Sequence, residues 1–135
     1  MSRSDVLLQS MNNFYNDESN ATQFKNIISH GGKRGDRVSL RMIEKFITDY
    51  SKRTNFSIKS CDGQSFPVHV KYKSTLDGYS KKLFDPFARY ERIDYVIPAT
   101  GERVVTTVGQ LNFLKWAIKN GIVDYIKENP DITKC

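Results

Sequence analysis

The hydrophobic pattern of this chain changes period along its length, and that change limits the fold more than any single motif does. Leu40, Ile43, Phe46, Ile47 and Tyr50 recur at helical spacing behind Ser39, a good N-cap, and predict a helix over 40–52. Phe56 and Ile58, then Val68, Val70 and Tyr72, alternate with polar residues, the period of a half-buried strand. Asp62-Gly63 lies between these two runs, a hairpin signal, and Pro67 marks an edge or a strand start. Helical spacing returns at Leu111, Leu114, Ala117 and Ile118. A chain that alternates periods in this way is neither a pure bundle nor a sandwich. It reads as an α+β domain with about four strands in hairpins and four to five helices, two of them C-terminal.

The remaining segments fit that frame. Residues 1–20 carry Val6, Leu7, Leu8, Met11, Phe14 and Tyr15 at mostly helical spacing and read as a short amphipathic helix or an N-terminal arm. Residues 21–130 form the single α+β domain, and 131–135 a short tail. Ala21–Ser29 is a second short helix with Phe24, Ile27 and Ile28 on one side. Residues 73–84 are predicted helical until Asp85-Pro86 stops them. Residues 92–97 and 103–106 are predicted to pair through Pro98-Ala99-Thr100-Gly101. Thr107 with Gln110 three later has the form of a capping box, Gly121 fits the end of the helix it opens, and Pro130 ends the helix after that.

Composition enters where function is asked about. The chain has 135 residues, long enough to bury a core without a disulfide or metal staple. Its 21 Lys and Arg against 15 Asp and Glu give a net charge of +6. That excess is local: residues 31–103 alone hold 15 basic and 9 acidic side chains, while residues 1–30 are net negative. Clustered cations raise the local concentration of polyanions. With 39% hydrophobic residues the chain is too apolar to be disordered throughout. No apolar run approaches the length of a membrane span, and no secretory leader is visible. The two cysteines, Cys61 and Cys135, lack zinc spacing, and their scarcity favours a reducing compartment.

Motifs for catalysis fail one at a time. The histidines are His30, in a glycine-rich loop, and His69, on the outer side of a predicted strand. A Cys61–His69 dyad lacks a third group to orient it. Gly31-Gly32-Lys33 departs from a phosphate-binding P-loop, because Lys33 is followed by Arg34 and Ile27 stands where the first glycine belongs. Asp85, Glu91, Asp94 and Glu102 are interleaved with Arg89, Arg92 and Arg103, a pattern of ion pairs rather than of an acid and base pair. No enzyme activity, cofactor, metal or small-molecule substrate is expected. What remains is basic residues mixed with aromatics: Lys33, Arg34, Arg37, Arg41, Lys45, Lys52 and Arg53 in the first half, and Lys73, Lys81, Lys82, Arg89 and Arg92 among Tyr72, Tyr79, Phe84, Phe87 and Tyr90 in the middle. Lysines and arginines neutralise phosphates without reading sequence, and exposed aromatics stack on unpaired bases. Core packing for the aromatics and solvation for the cations are the plain alternatives.

Three blocks together resemble a known family. They run Val38-Ser39-Leu40-Arg41 to Lys52, Tyr72-Lys73-Ser74 through Tyr79-Ser80-Lys81-Lys82-Leu83-Phe84-Asp85-Pro86-Phe87 to Arg89, and Thr106-Thr107 through Gln110-Leu111-Asn112-Phe113 to Ile126. The resemblance is to the small, abundant proteins of nucleocytoplasmic large DNA viruses, the giant viruses of amoebae and algae, and it covers roughly residues 22–128. Family members often carry Cys-Arg after Phe-Asp-Pro-Phe, where this chain has Ala88-Arg89, which removes a thiol and with it the ground for a shared redox or crosslinking role. The resemblance implies a protein of the virion or of the virus factory in the host cytoplasm, with organisation of the viral DNA as its leading role. The resulting expectation is sequence-independent binding and compaction of double-stranded DNA. Self-association through the N-terminal segment or the C-terminal helices would join neighbouring molecules into a homo-oligomer. The alternative is a structural protein of the core or capsid that never touches DNA.

Overall fold

A computed structural model of the chain describes residues 3–29, 38–59, 63–79, 81–87 and 92–129, with the side chains of Arg3, Ser4, Ser29, Lys81 and Lys82 outside that set. Two helices open the fold, α1 (Arg3–Phe14) and α2 (Glu18–Ser29). A continuous helical run follows as α3 (Leu40–Lys45), a π-helical stretch (Phe46–Tyr50) and α4 (Ser51–Thr54). The first hairpin is β1 (Ser57–Lys59) and β2 (Ser65–Pro67), leading into α5 (Val68–Tyr79) and α6 (Lys81–Phe84). The second hairpin, β3 (Ile93–Val96) and β4 (Arg103–Thr106), precedes α7 (Val108–Lys119) and α8 (Ile122–Glu128). Both hairpins are antiparallel, with Ile58 opposite Phe66 and Tyr95 opposite Val104. The α+β class and the two hairpins agree with the reading of the sequence.

Everything is built around α7. It packs against α1, α2, α6 and α8, and Leu111, Asn112, Phe113, Leu114, Ala117 and Ile118 are all buried. Its start follows the predicted cap: the Thr107 hydroxyl accepts from Gln110 N–H at 3.0 Å. The Gln110 side chain does not complete the box. It accepts from the Thr106 hydroxyl at 2.7 Å and donates to the Pro86 carbonyl at 3.1 Å. Gly121, at φ 77°, supplies the left-handed residue that turns the chain from α7 into α8.

Within segment 1–20, Arg3–Phe14 is a helix packed on the core. Leu7, Met11 and Tyr15 follow one another four residues apart and all enter the core. The Tyr15 hydroxyl reaches across to donate to the Leu111 carbonyl at 2.8 Å, tying the end of α1 to the first turn of α7. Tyr15, Phe24 and Tyr95 form one aromatic cluster around that bond. A second gathers Tyr72, Phe84, Phe113 and Trp116, and a third gathers Phe46, Tyr50, Phe56 and Tyr125.

The second strand departs from expectation. The alternation at Val68, Val70 and Tyr72 predicts a strand to residue 72, but pairing stops at Pro67 and α5 begins at Val68. Three alternating residues are too few to separate the two periods. Val68 and Tyr72 also stand four apart, and both are buried, whereas Val70 is 63% exposed. The predicted helix over 73–84 is helical at its described residues, as α5 to Tyr79 and α6 over Lys81–Phe84.

The predicted helix over 40–52 is present with its cap, the Ser39 hydroxyl accepting from Met42 N–H at 3.1 Å. Its centre widens into the π-helical stretch. There the Phe46 carbonyl is taken by Ser51, through both the backbone N–H and the buried hydroxyl at 2.9 Å. Asn55 ends the run in the left-handed region at φ 52°, a conformation asparagine tolerates better than most residues. The inserted residue keeps Ile43, Phe46, Ile47 and Ser51 on the core side.

Candidate nucleic-acid interface

The helical run from Leu40 to Thr54 is apolar on one side because Ile43, Phe46 and Ile47 face the core, and that packing fixes the direction of the other side. Arg41, Lys52 and Arg53 are exposed there, and Lys45 is half-buried between them. Arg53 Nε lies 3.5 Å from Asp49, and its guanidinium sits 5.9 Å from the centre of the Tyr50 ring, which orders the side chain without neutralising the ridge. Lys52 and Asn55 then line a shallow groove with Phe56, Pro67, His69 and Val70, so the end of α4 meets the start of α5. Lys73 is exposed on α5 one turn beyond His69 and Val70. The structure therefore brings Arg41, Lys45, Lys52 and Arg53 onto one helical run and sets Lys73 on the helix packed against its end.

The other candidates separate from this group. Lys33, Arg34, Arg37 and Arg89 lie outside the described residues, as do the side chains of Lys81 and Lys82. Arg92 is exposed at the entry to β3 and does not line that groove. Of Arg41, Lys52, Arg53, Lys73 and Arg92, Arg53 alone takes part in an ion pair among the described residues. The interleaved acids of the second hairpin do form salt bridges. Arg103 holds Asp94 at 3.0 Å across β3 and β4, and Lys25 holds Glu102.

The aromatics proposed for base stacking are mostly core. Phe84 is fully buried, Tyr72 is 7% exposed, and Tyr79 is stacked on Phe84 with ring centres 6.0 Å apart. Phe87 is the exposed member, and Tyr90 lies outside the described residues. His69 stands in the first turn of α5 and not on a strand. Its Nδ1 lies 3.3 Å from the Ile47 carbonyl in the π-helical stretch, so that nitrogen carries the proton and donates. Cys61, its suggested partner, is outside the described residues. No cluster of three His, Cys, Asp or Glu side chains suited to a metal occurs among the described residues. No described helix is long and apolar enough to cross a membrane.

Sequence reasoning passed over Lys115 and Lys119, one turn apart on α7. Both line a recess with Thr75, Tyr79, Phe84, Asn112, Trp116 and Asn120. Lys115 donates to the Ser10 hydroxyl at 2.5 Å, and burial, then the charge of Lys119, pulls its ammonium below the usual lysine range. A search for four-residue spacing between lysines on the last predicted long helix would have found the pair.

Two of the blocks that carried the family resemblance meet in space. The Asn112 amide donates to the Leu83 carbonyl at 2.9 Å and Gln110 to the Pro86 carbonyl, while the Asp85 carboxylate accepts from Phe87 N–H at 2.9 Å. The Gln-Leu-Asn-Phe segment thus satisfies the carbonyls left open where α6 ends at Phe-Asp-Pro-Phe. These residues hold the fold together.

The arrangement is that of an α+β domain with one basic helical face, in which two of the distinctive sequence blocks are structural. The chain belongs to the family described as "Family of unknown function (DUF7197)", whose profile matches residues 1–134. A curated relative from Acanthamoeba polyphaga mimivirus, "Uncharacterized protein L507", is 39% identical over 99 aligned residues. The match takes in 67% of this chain and 38% of the relative, so the chain corresponds to less than half of that protein's length. The expected relationship to giant-virus proteins is thereby shown. No solved structure matches the chain.

Proposed function

We propose that the protein binds double-stranded DNA without sequence preference and compacts it in the virus factory and virion of a giant virus, with no catalytic step of its own. The observation that carries this reading is the exposed ridge of Arg41, Lys52 and Arg53, continued by Lys73, in which Asp49 is the one paired carboxylate among the described residues. Cations on a convex helix face follow phosphates and carry no base-reading geometry. The giant-virus relative supports the biological setting.

Compaction requires each unit to engage two duplex segments, so self-association is part of the proposal. Leu7 and Met11 of α1 and the apolar residues of α7 and α8 pack inside the fold. The outer face of the second hairpin, with Val96 and Val105 exposed, is the surface assigned to that contact. A gel shift with several unrelated duplexes tests the DNA reading. Similar affinities are expected across sequences, with similar weakening of all of them in the triple variant Arg41→Glu, Lys52→Glu, Lys73→Glu. Retention of full affinity by that variant, or discrimination among the duplexes, would remove the ridge from the account. A chain that binds no duplex at low salt would leave the non-DNA structural role.

A further inference from the structure

We propose that the recess between α5, α6 and α7 is a binding site for a phosphate monoester, held by Lys115 and Lys119 against the wall of Trp116. This site is separate from the DNA-binding ridge and does not depend on that reading. The recess has a volume of about 160 Å³, well above the ~10–15 Å³ that one water molecule requires. Thr75 and Tyr79 of α5, Phe84 of α6, and Asn112, Lys115, Trp116, Lys119 and Asn120 from α7 onward line it.

The donor chemistry selects the ligand. Asn112 gives an amide hydrogen to the Leu83 carbonyl, Asn120 gives one to the Trp116 carbonyl at 2.9 Å, and the Thr75 hydroxyl donates to the Lys71 carbonyl at 2.7 Å. The side-chain donors carrying charge are the two ammonium groups. Lys115 spends one of its three protons on Ser10. Neither lysine is paired with a carboxylate among the described residues. Two like charges one turn apart repel each other, and a bound anion relieves that repulsion.

The two lysines, and not the end of α7, favour a dianion. A helix C-terminus carries roughly half a negative charge, which favours Lys119 and opposes any anion nearby. Two full positive charges outweigh that half charge with enough left to hold a ligand of charge about −2, the state of a phosphate monoester near neutral pH. The aromatic wall of Trp116, Tyr79 and Phe84 suits a phosphate attached to an organic group. The same chemistry is offered by a free mononucleotide and by the 5′-phosphate at a DNA end.

Trp116 is the only tryptophan in the chain, so its fluorescence reports on this recess directly. The test is a titration of the full chain with inorganic phosphate and with dAMP at constant ionic strength, followed through Trp116. A saturable change is expected, with affinity weakened about tenfold in Lys119→Gln, the cost of one charge-assisted contact. Lys119 is exposed, so this variant folds. Lys59→Gln, exposed on β1 and outside both the ridge and the recess, is expected to bind as the natural chain does. A duplex with a 5′-phosphate binding more tightly than the same duplex without one assigns the site to DNA ends, and equal binding assigns it to free nucleotides. A fluorescence signal that never saturates, or an unchanged affinity in Lys119→Gln, overturns the inference. Neither result bears on the ridge, whose own readout is the triple variant.

Discussion

Two helical regions of similar length, α7 and the run from Leu40 to Thr54, divide the work of this domain differently. Helix α7 is enclosed by α1, α2, α6 and α8 and gives nearly every side chain to the core or to a neighbour's carbonyl. The Leu40–Thr54 run buries only its Ile43, Phe46, Ile47 and Ser51 side and leaves Arg41, Lys52 and Arg53 in solvent. The contrast teaches that the charge of the ridge and the packing of the core sit on separate elements here. Substitutions on the buried side of α7 are expected to act on folding, and substitutions on the ridge on binding alone.

The largest effect that sharpens this contrast is Phe113→Ala. Phe113 is fully buried against Tyr72 and Phe84, and its loss is expected to cost about 3–5 kcal/mol by denaturant unfolding. Asn112→Ala comes next. It strips the Leu83 carbonyl of its partner in a buried setting, at about 1–3 kcal/mol. Tyr15→Phe keeps the ring and removes only the hydrogen bond to the Leu111 carbonyl. About 0.5–1.5 kcal/mol is expected, because that carbonyl still accepts within the helix. At the other end of the scale, Arg41→Ala is expected to shift stability by less than about 0.5 kcal/mol. A stability loss at Arg41 as large as that at Asn112 would break the division.

The phenols around the start of α7 give the same contrast a pH dependence. Burial pushes Tyr95 up to about 12 and raises Tyr15 well above the ordinary phenol value. Below pH ~10 the phenol is neutral in both the folded and the unfolded chain, and its contribution is complete. Above that the unfolded chain ionises first, so stability falls as pH rises towards about 12. Unfolding midpoints measured from pH 9 upward are expected to decline. The decline is expected to shrink in Tyr15→Phe, and a flat profile would mean that these rings are solvated.

Much of this was legible in the sequence, for reasons that differ by element. Ser39 and Thr107 cap the helices they were expected to cap because a hydroxyl reaching a backbone N–H three residues on is a local event. The second hairpin was legible because Pro98-Ala99-Thr100-Gly101, a run of turn formers, sits between two short apolar stretches. Val68 to Tyr72 was misread because an alternation of three cannot show its period, and the choice was made by packing on Phe113 and Trp116 far along the chain. The ridge from Arg41 to Arg53 was legible from four-residue spacing. The recess was not, because Thr75, Phe84 and Lys119 meet only through tertiary packing. The family blocks marked a contact between α6 and α7, which sequence alone presented as a signature without a position.

The most direct test of the central claim is the salt dependence of duplex binding by the natural chain and by the triple variant Arg41→Glu, Lys52→Glu, Lys73→Glu. The logarithm of the binding constant is expected to fall linearly with the logarithm of salt concentration, with a slope of about −0.9 for each phosphate contact. The variant is expected to show a slope shallower by about 2 to 3, with its unfolding curve unchanged. Identical slopes for the two proteins, or a variant whose lost binding tracks lost stability, would contradict the claim that the exposed side of Leu40–Thr54 meets the polyanion.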